Sequence, residues 1–367
     1  MSARGIYVIE GGKGIMTEEV FDMRAKELIP GMIISKDLIC NDTLLLRKGS
    51  ILDDNAIDRL NNVYLQDTIQ VYIPEGILGE RRKENEKKKV EKAFQEVADK
   101  LKRIFSKRNT FDENGIEDLK EFASKVESQL KNSELALNTV LFKGDVGDLI
   151  YKHGVNVAVL SALLARWIGL ADNSINMIIH AALLHDFGIT KLAKELQEEP
   201  DIKMVDKNYK VKQHVTIAYD IMKNIKSIDK SITYGVLMHH ERCDGSGYPL
   251  RIQGEKIHPY ARIIAIADEY DVLNSDKKLL NEHGMFAALR IIKEKSFKSL
   301  DYKYSKIFLE HMCNYYIGED VVLSDGTVAR VLQMNMEDIE NPLLLKDDEF
   351  IDLKKDKDLY VKELLLK

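Results

Sequence analysis

The stretch IIHAALLHDFG, residues 178–188, decides the fold. It reads as an apolar helix whose end carries an imidazole and a carboxylate, His185 and Asp186. Four other segments share this character. In KHGVNVAVLSALLARW (152–167), Val157, Leu160 and Leu164 follow His153 at i+4, i+7 and i+11, so His153 shares the core-facing stripe. QHVTIAYDIM (213–222) starts a helix at His214, and YGVLMHH (234–240) ends on His239-His240. ARIIAIADEYDVL (261–273) places Asp268 inside an apolar helix. Residues 112–315 are nearly all helical in pattern, with turns expected at Gly144, Gly169, Glu199-Pro200, the 243–249 loop and His283-Gly284.

A single histidine on an apolar helix face is usually a satisfied core residue, which is the expectation for His180 and His311. His258 and His283 read as loop residues. Asp268 is harder to place in a core, because burying an unpaired carboxylate costs several kcal/mol. It requires a cation, a hydrogen-bond network or a metal. The adjacent imidazoles of 239–240 and the His185-Asp186 pair tilt the choice to metal. Nitrogen and oxygen donors without thiolates suit Fe, Mn, Ni or Zn. Seven such ligands exceed the needs of one ion, and two ions bridged by one carboxylate is the economical arrangement.

The flanks differ in character. Residues 1–79 read as a small α+β unit, with a weakly ordered opening of fifteen residues, strands at Met32–Ile34, Thr43–Leu46 and Thr68–Ile73, and a helix at Asp54–Asn62. Pro30-Gly31, Asn41-Asp42 and Lys48-Gly49 interrupt it. Residues 81–108 carry 12 basic and 5 acidic residues, a local net of +7. Val90, Phe94, Val97, Leu101 and Ile104 recur there at spacings of 4, 3, 4 and 3. That stripe fits an amphipathic connector packed on its neighbour. A dimerising coil that joins two copies through 81–135 is the second reading, and a basic nucleic-acid arm ranks third. Residues 316–367 return to a strand period: Gly318–Val322, Thr327–Gln333, Pro342–Leu345 and Phe350–Leu353, around the turn Ser324-Asp325-Gly326.

Composition bounds what remains. The 367 residues carry 54 basic and 60 acidic side chains, a net charge of −6. This argues against coating a DNA or RNA polymer and leaves a small phosphate ligand open. No run approaches the roughly 20 apolar residues of a membrane span. The opening residues lack a leader's apolar core and cleavage site. Cys40, Cys243 and Cys313 are far apart and odd in number, which excludes a disulfide framework or a CxxC zinc site. The expectation is a cytoplasmic, thiol-reduced protein.

The order H…HD…H…HH…D, with HHERCDGSGYP at 239–249 and Arg262…Ala267-Asp268…Tyr270-Asp271 after it, resembles the HD-GYP family. These are bacterial signal-transduction enzymes of the HD phosphohydrolase superfamily that hydrolyse cyclic di-GMP. The segment IPGMIISKDL…LLLRKGSIL also resembles the non-catalytic unit that often precedes such domains. The resemblance implies a mainly α protein: an HD-type helical bundle at 136–315, a small α+β regulatory unit at 1–79, a charged helical connector at 80–135 and a small β unit at 316–367. It implies two divalent metals, Fe or Mn foremost. His153, His185, Asp186 and Asp268 would hold one, and Asp186, His214, His239 and His240 the other, with Asp186 and a water or hydroxide bridging. The hydroxide would open cyclic di-GMP to linear pGpG, and further to GMP. Arg242, Asp244, Gly247, Tyr248 and Lys277 are the substrate-binding candidates it implies. For Tyr248, a ligand contact and a structural turn have equal standing.

Three positions depart from the family pattern. Ile189 stands where the family writes the lysine of HDxGK, and Lys191 is about 200° further round a helix. Lys277 and Leu280 stand where arginine and then arginine or lysine are common, and lysine lacks the bidentate fork. Leu149 stands where members with a third metal carry glutamate, and Asp148 is about 100° away. Two metals and slowed hydrolysis follow. The alternative is a weakened receptor for a cyclic dinucleotide, or an enzyme for another one, such as a hybrid cyclic dinucleotide.

Overall fold

The computed structural model describes residues 6–9, 12–40, 43–63, 68–106, 113–130, 133–141, 149–192, 210–355 and 359–365. The turns expected at Asn41-Asp42, Gly144 and Glu199-Pro200, and the residue Asp148, lie outside that set. The chain forms two compact units, Met1–Lys89 and Val90–Lys367.

In the first unit, β1 (Ile6–Ile9), β2 (Gly12–Arg24), β3 (Ile33–Ile34) and β6 (Thr68–Pro74) build a sheet in the order β1-β2-β6-β3. A separate hairpin pairs β4 (Leu38–Cys40) with β5 (Thr43–Leu46), and α1 spans Asp54–Val63. Met32, Ile34, Leu52, Leu60, Ile69 and Val71 form its core. Within the opening expected from the sequence to be weakly ordered, the described residues form an antiparallel pair, running from Ile6↔Ile15 to Ile9↔Gly12. The signal was present: Ile6-Tyr7-Val8-Ile9 is rich in β-branched residues and precedes two glycines.

The long helix α2 (Glu75–Ser106) takes in the charged segment as far as Ser106; its last two residues, 107–108, lie outside the described set. Its stripe is buried, with Val97 and Leu101 at 0% exposure, in one apolar cluster with Leu119, Phe122 and Val126 of α3 (Glu113–Gln129). Lys100 pairs with Glu121 at 2.7 Å across the two helices. The described charges of this helix therefore lie on its outer faces, and its apolar stripe packs inside the same chain.

Four helices frame the centre of the second unit. They are α5 (Leu149–Ile168), α6 (Asp172–Leu184), α8 (Lys230–Met238) and α9 (Pro259–Asn274), with α4 (Ser133–Leu141) and α7 (His214–Met222) alongside. α9 packs on α5 and α8, and α6 packs on α5 and α8. Ile263, Ile264, Ala265, Ile266 and Ala267 are all buried, so α9 is apolar on nearly every side, as a central helix must be. Pro259 opens it, and the His258 ring accepts the Tyr260 N–H at 3.2 Å. His258, expected in a loop, is thus a helix cap. The helices α10 (Lys277–His283), α11 (Ala287–Ser296) and α12 (Tyr302–Tyr316) follow.

The chain then forms β7 (Asp320–Leu323), β8 (Val328–Asn335), β9 (Asp338–Lys346), β10 (Glu349–Asp352) and β11 (Val361–Leu364), in the order β10-β9-β8-β7-β11. β11 has no counterpart in the sequence reading. Val361 is its one buried residue, too little alternation to reveal a strand, and its pairing with β7 supplies the order. The fold is mainly α, a helical bundle with a small α+β unit before it and a small sheet after it. None of the described helices is long and apolar enough to cross a membrane.

Candidate metal centre

Helix ends gather the ligand candidates. His185 closes α6, and Asp186 starts the 3-10 turn Phe187–Lys191. His214 is the first residue of α7; His239 closes α8 and His240 follows it. His153 lies in α5 and Asp268 in α9. All seven are buried. They fall into two clusters of metal-ligating atoms: His153, His185 and Asp268, and Asp186, His214, His239 and His240.

Asp186 joins the clusters. Its Oδ2 lies 3.3 Å from His185 Nε2 and 3.7 Å from His153 Nε2, while its Oδ1 lies 3.3 Å from His214 Nε2. Asp268 Oδ1 is 3.1 Å from His153 Nε2. Each carboxylate oxygen of Asp186 therefore faces a different half of the centre.

The backbone sets the tautomers. Nδ1 of His185, His214 and His239 lies 2.7, 2.8 and 2.7 Å from the carbonyl oxygens of Ala182, Val211 and Val236, each three residues back. A carbonyl only accepts, so each Nδ1 donates and each Nε2 carries the lone pair turned to the centre. Nε2 of His214 and of His239 is buried without a hydrogen-bond partner. Orphaned buried acceptors beside carboxylates are the donor set that a divalent cation satisfies, so these residues fit the metals they were expected to hold.

Electrostatics divides the centre. Burial disfavours the charged form of His153, yet hydrogen bonds to Asp268 and Asp271 push its pKa well above the usual imidazole range. Burial likewise opposes His185, but the Asp186 charge and hydrogen bond raise it. Burial would lift Asp186, and the imidazoles of His185, His214 and His153 hold it far below the carboxylate range. Burial lowers His214 despite Asp186. His239 and His240 are pushed well below the usual value by burial and then by neighbouring imidazoles.

Several residues outside the expected set hold the centre in shape. Asp271, buried, accepts from His153 Nδ1 at 2.8 Å on Oδ2 and from Asn156 at 3.0 Å on Oδ1. It is a carboxylate behind a ligand imidazole, which fixes the ring and raises its basicity. Glu241 is buried, and its carboxylate accepts from the backbone amides of Leu250, Arg251 and Ile252 at 2.5, 3.1 and 3.2 Å. A Cβ on Gly188 would sit 1.9 Å from the His214 carbonyl oxygen, so only glycine lets α7 approach the turn after Asp186. The sequence signals were local: Asp271 follows Asp268 by three on one helix, Glu241 follows the histidine pair, and Gly188 closes the HDFG quartet.

Four of the substrate-binding candidates share the loop that follows His240, and Lys277 lies on α10. Gly247 is buried, and a Cβ there would meet the Arg242 nitrogen and the His240 carbonyl at 2.4 Å, so its role is close backbone approach. Tyr248 stacks on His240, with centroids 4.7 Å apart at 18°. Arg242 is tied to Glu269 at 3.2 Å and to two backbone carbonyls. Asp244, exposed, accepts from the Ser246 amide and hydroxyl and shapes the turn. Lys277 is exposed at the start of α10. Lys191 reaches the Phe105 carbonyl at 3.2 Å, away from the ligands. Of the two histidines expected in the core, His180 is buried, but His311 is exposed and stacks on Trp167.

The chain is similar to several known proteins. The chain is 27% identical over 59% of its length to 51% of a cyclic di-GMP phosphodiesterase of Pseudomonas aeruginosa. It is 29% identical over 41% of its length to 32% of a 3'3'-cGAMP-specific phosphodiesterase of Vibrio cholerae. The chain thus spans about half or less of the length of these curated relatives. An HDG"Y"P protein from Bdellovibrio bacteriovorus shares the fold, with TM-score 0.50 and 17% identity over 80% of this chain and 99% of that one. Residues 121–303 match the HD domain family, so the chain carries an HD domain, and its motifs resemble those of the HD-GYP family.

Proposed function

We propose that this chain is a metal-dependent phosphodiesterase acting on a cyclic dinucleotide, with cyclic di-GMP opened to linear pGpG as its reaction. One observation carries the reading: the two oxygens of Asp186 are turned to opposite halves of a buried imidazole cluster. Two divalent ions, Fe or Mn, held by His153, His185, Asp186 and Asp268 and by Asp186, His214, His239 and His240, would supply an activated water and neutralise charge developing on the phosphodiester. The chain's own part is orientation and water exclusion. Backbone carbonyls and Asp271 aim the imidazoles. The Glu241-bound loop and Tyr248 cover His240. The relatives' names support the substrate class, and they divide between cyclic di-GMP and 3'3'-cGAMP. We place the activity in the cytoplasm, a reading supported by the thiol-reduced cysteines expected of the chain.

The second reading, a receptor with weakened chemistry, draws on Ile189, on the exposed Lys277 and on Arg242 being engaged by Glu269. The deciding experiment is manganese- or iron-loaded protein incubated with each dinucleotide, with chromatography of the products. Metal-dependent pGpG, or the linear product of 3'3'-cGAMP, is expected. Tight binding without product would establish the receptor.

A further inference from the structure

With isoleucine at 189, the site needs another cation for the substrate phosphate, and the obvious substitutes are occupied or exposed. Arg242 is held by Glu269, Lys191 by the Phe105 carbonyl, and Lys277 stands exposed on α10. Lys212 is differently placed. It lies in the 3-10 turn Val211–Gln213, two residues before His214. Its ammonium sits 4.7 Å from the centroid of the Tyr248 ring. That ring in turn stacks on His240. The ring is a fixed platform, because the Tyr248 N–H donates to the His240 carbonyl at 3.2 Å and Gly247 is wedged against residues 240–242.

Lys212 is half-buried and has no carboxylate partner among the described residues. A cation that surrenders hydration without a counter-charge costs free energy, which a ring quadrupole offsets in part and an anion offsets more fully. We infer that Lys212 is the phosphate contact of this site and replaces the cation lost at Ile189. The inference rests on the phosphodiesterase reading and adds to it the residue that grips the substrate.

The test compares wild type, Lys212→Met and Lys212→Arg. Dissociation constants for cyclic di-GMP are measured on chelator-treated protein, KM and kcat on manganese-loaded protein, and Tm on each variant. Loss of one charge-assisted contact should raise both Kd and KM about 10- to 100-fold in the methionine variant. The arginine variant should restore them to within a few-fold, with Tm unchanged throughout. Methionine that leaves Kd and KM at the wild-type values would overturn the assignment. So would a fall in Tm that arginine does not rescue, since it would mark a packing role. Lys212-dependent binding without any wild-type turnover would keep the contact and sink the hydrolase reading. Turnover indifferent to Lys212 would do the reverse, and a wild type that neither binds nor hydrolyses the dinucleotide would overturn both.

Discussion

His153 and His185 face carboxylates: Asp268 and Asp271 on one ring, Asp186 on the other. His214, His239 and His240 mainly face one another, with ring centroids 4.1 to 5.5 Å apart. The first half therefore draws protons onto its imidazoles, while the second keeps them neutral. One set of residue types yields two electrostatic environments, and the difference is the count of carboxylates within reach. A cation entering the first half must displace protons; one entering the second meets bare lone pairs.

The strongest way to break this comparison is to remove what the halves share. Asp186→Ala should take metal content to near zero and turnover to background; full metal content in that protein, measured by elemental analysis, would refute the shared bridge. Gly188→Ala acts on one half, because its methyl would collide with the His214 backbone. It should lower stoichiometry from two ions to one, which the same analysis reads. Asp271→Asn acts on the other half. It should weaken that half's affinity about 10- to 100-fold and leave the His214 half unchanged. Two-site calorimetry with manganese resolves the two, and equal weakening of both would contradict the division.

pH sharpens the comparison further. The pKa values of His153 and His185 are raised, so these rings are protonated at higher pH than usual and metal must displace those protons. Affinity of their half should fall about tenfold per displaced proton for each pH unit below the raised pKa values. The other half should hold its affinity over the same range, because His214, His239 and His240 titrate lower. Titrations at pH 8 and pH 6 in buffers of different ionisation enthalpy count the protons released. The smallest effect concerns Ile189→Lys. With Lys212 in place, kcat/KM should rise by less than about tenfold; a gain on the order of 10²–10³-fold, the worth of a dedicated transition-state contact, would show that nothing had replaced the lysine.

The sequence displayed the helices well because their periodicity is strong. Asp54–Val63 and the buried stripe of α2 fall where hydrophobic spacing puts them. It displayed the imidazole cluster because buried polar residues in apolar helices are conspicuous. It concealed β11, whose strand character comes from its partner β7, whereas β1 carried a signal in the β-branched run Ile6-Tyr7-Val8-Ile9. The supports of the centre were concealed for another reason. Glu241 and Asp271 stand within the quoted motifs, but their burial and partners, and the pairing of Glu269 with Arg242, come only from the structure. The partner of Arg242 was out of local view as well: Glu269 lies 27 residues on.

The bond from each Nδ1 to the carbonyl three residues back has a dynamic consequence. His185 and His239 end their helices and His214 begins one, the places where helices fray. A fraying event at any of the three releases the ring from its carbonyl and turns its Nε2 away, so opening a helix end and losing a ligand are one event. By linkage, metal must then slow amide exchange at these termini by the same factor that it favours the closed state. Hydrogen exchange at the ends of α6 and α8 and the start of α7 would thus report metal occupancy residue by residue, and would order the three ligands by how readily each lets go.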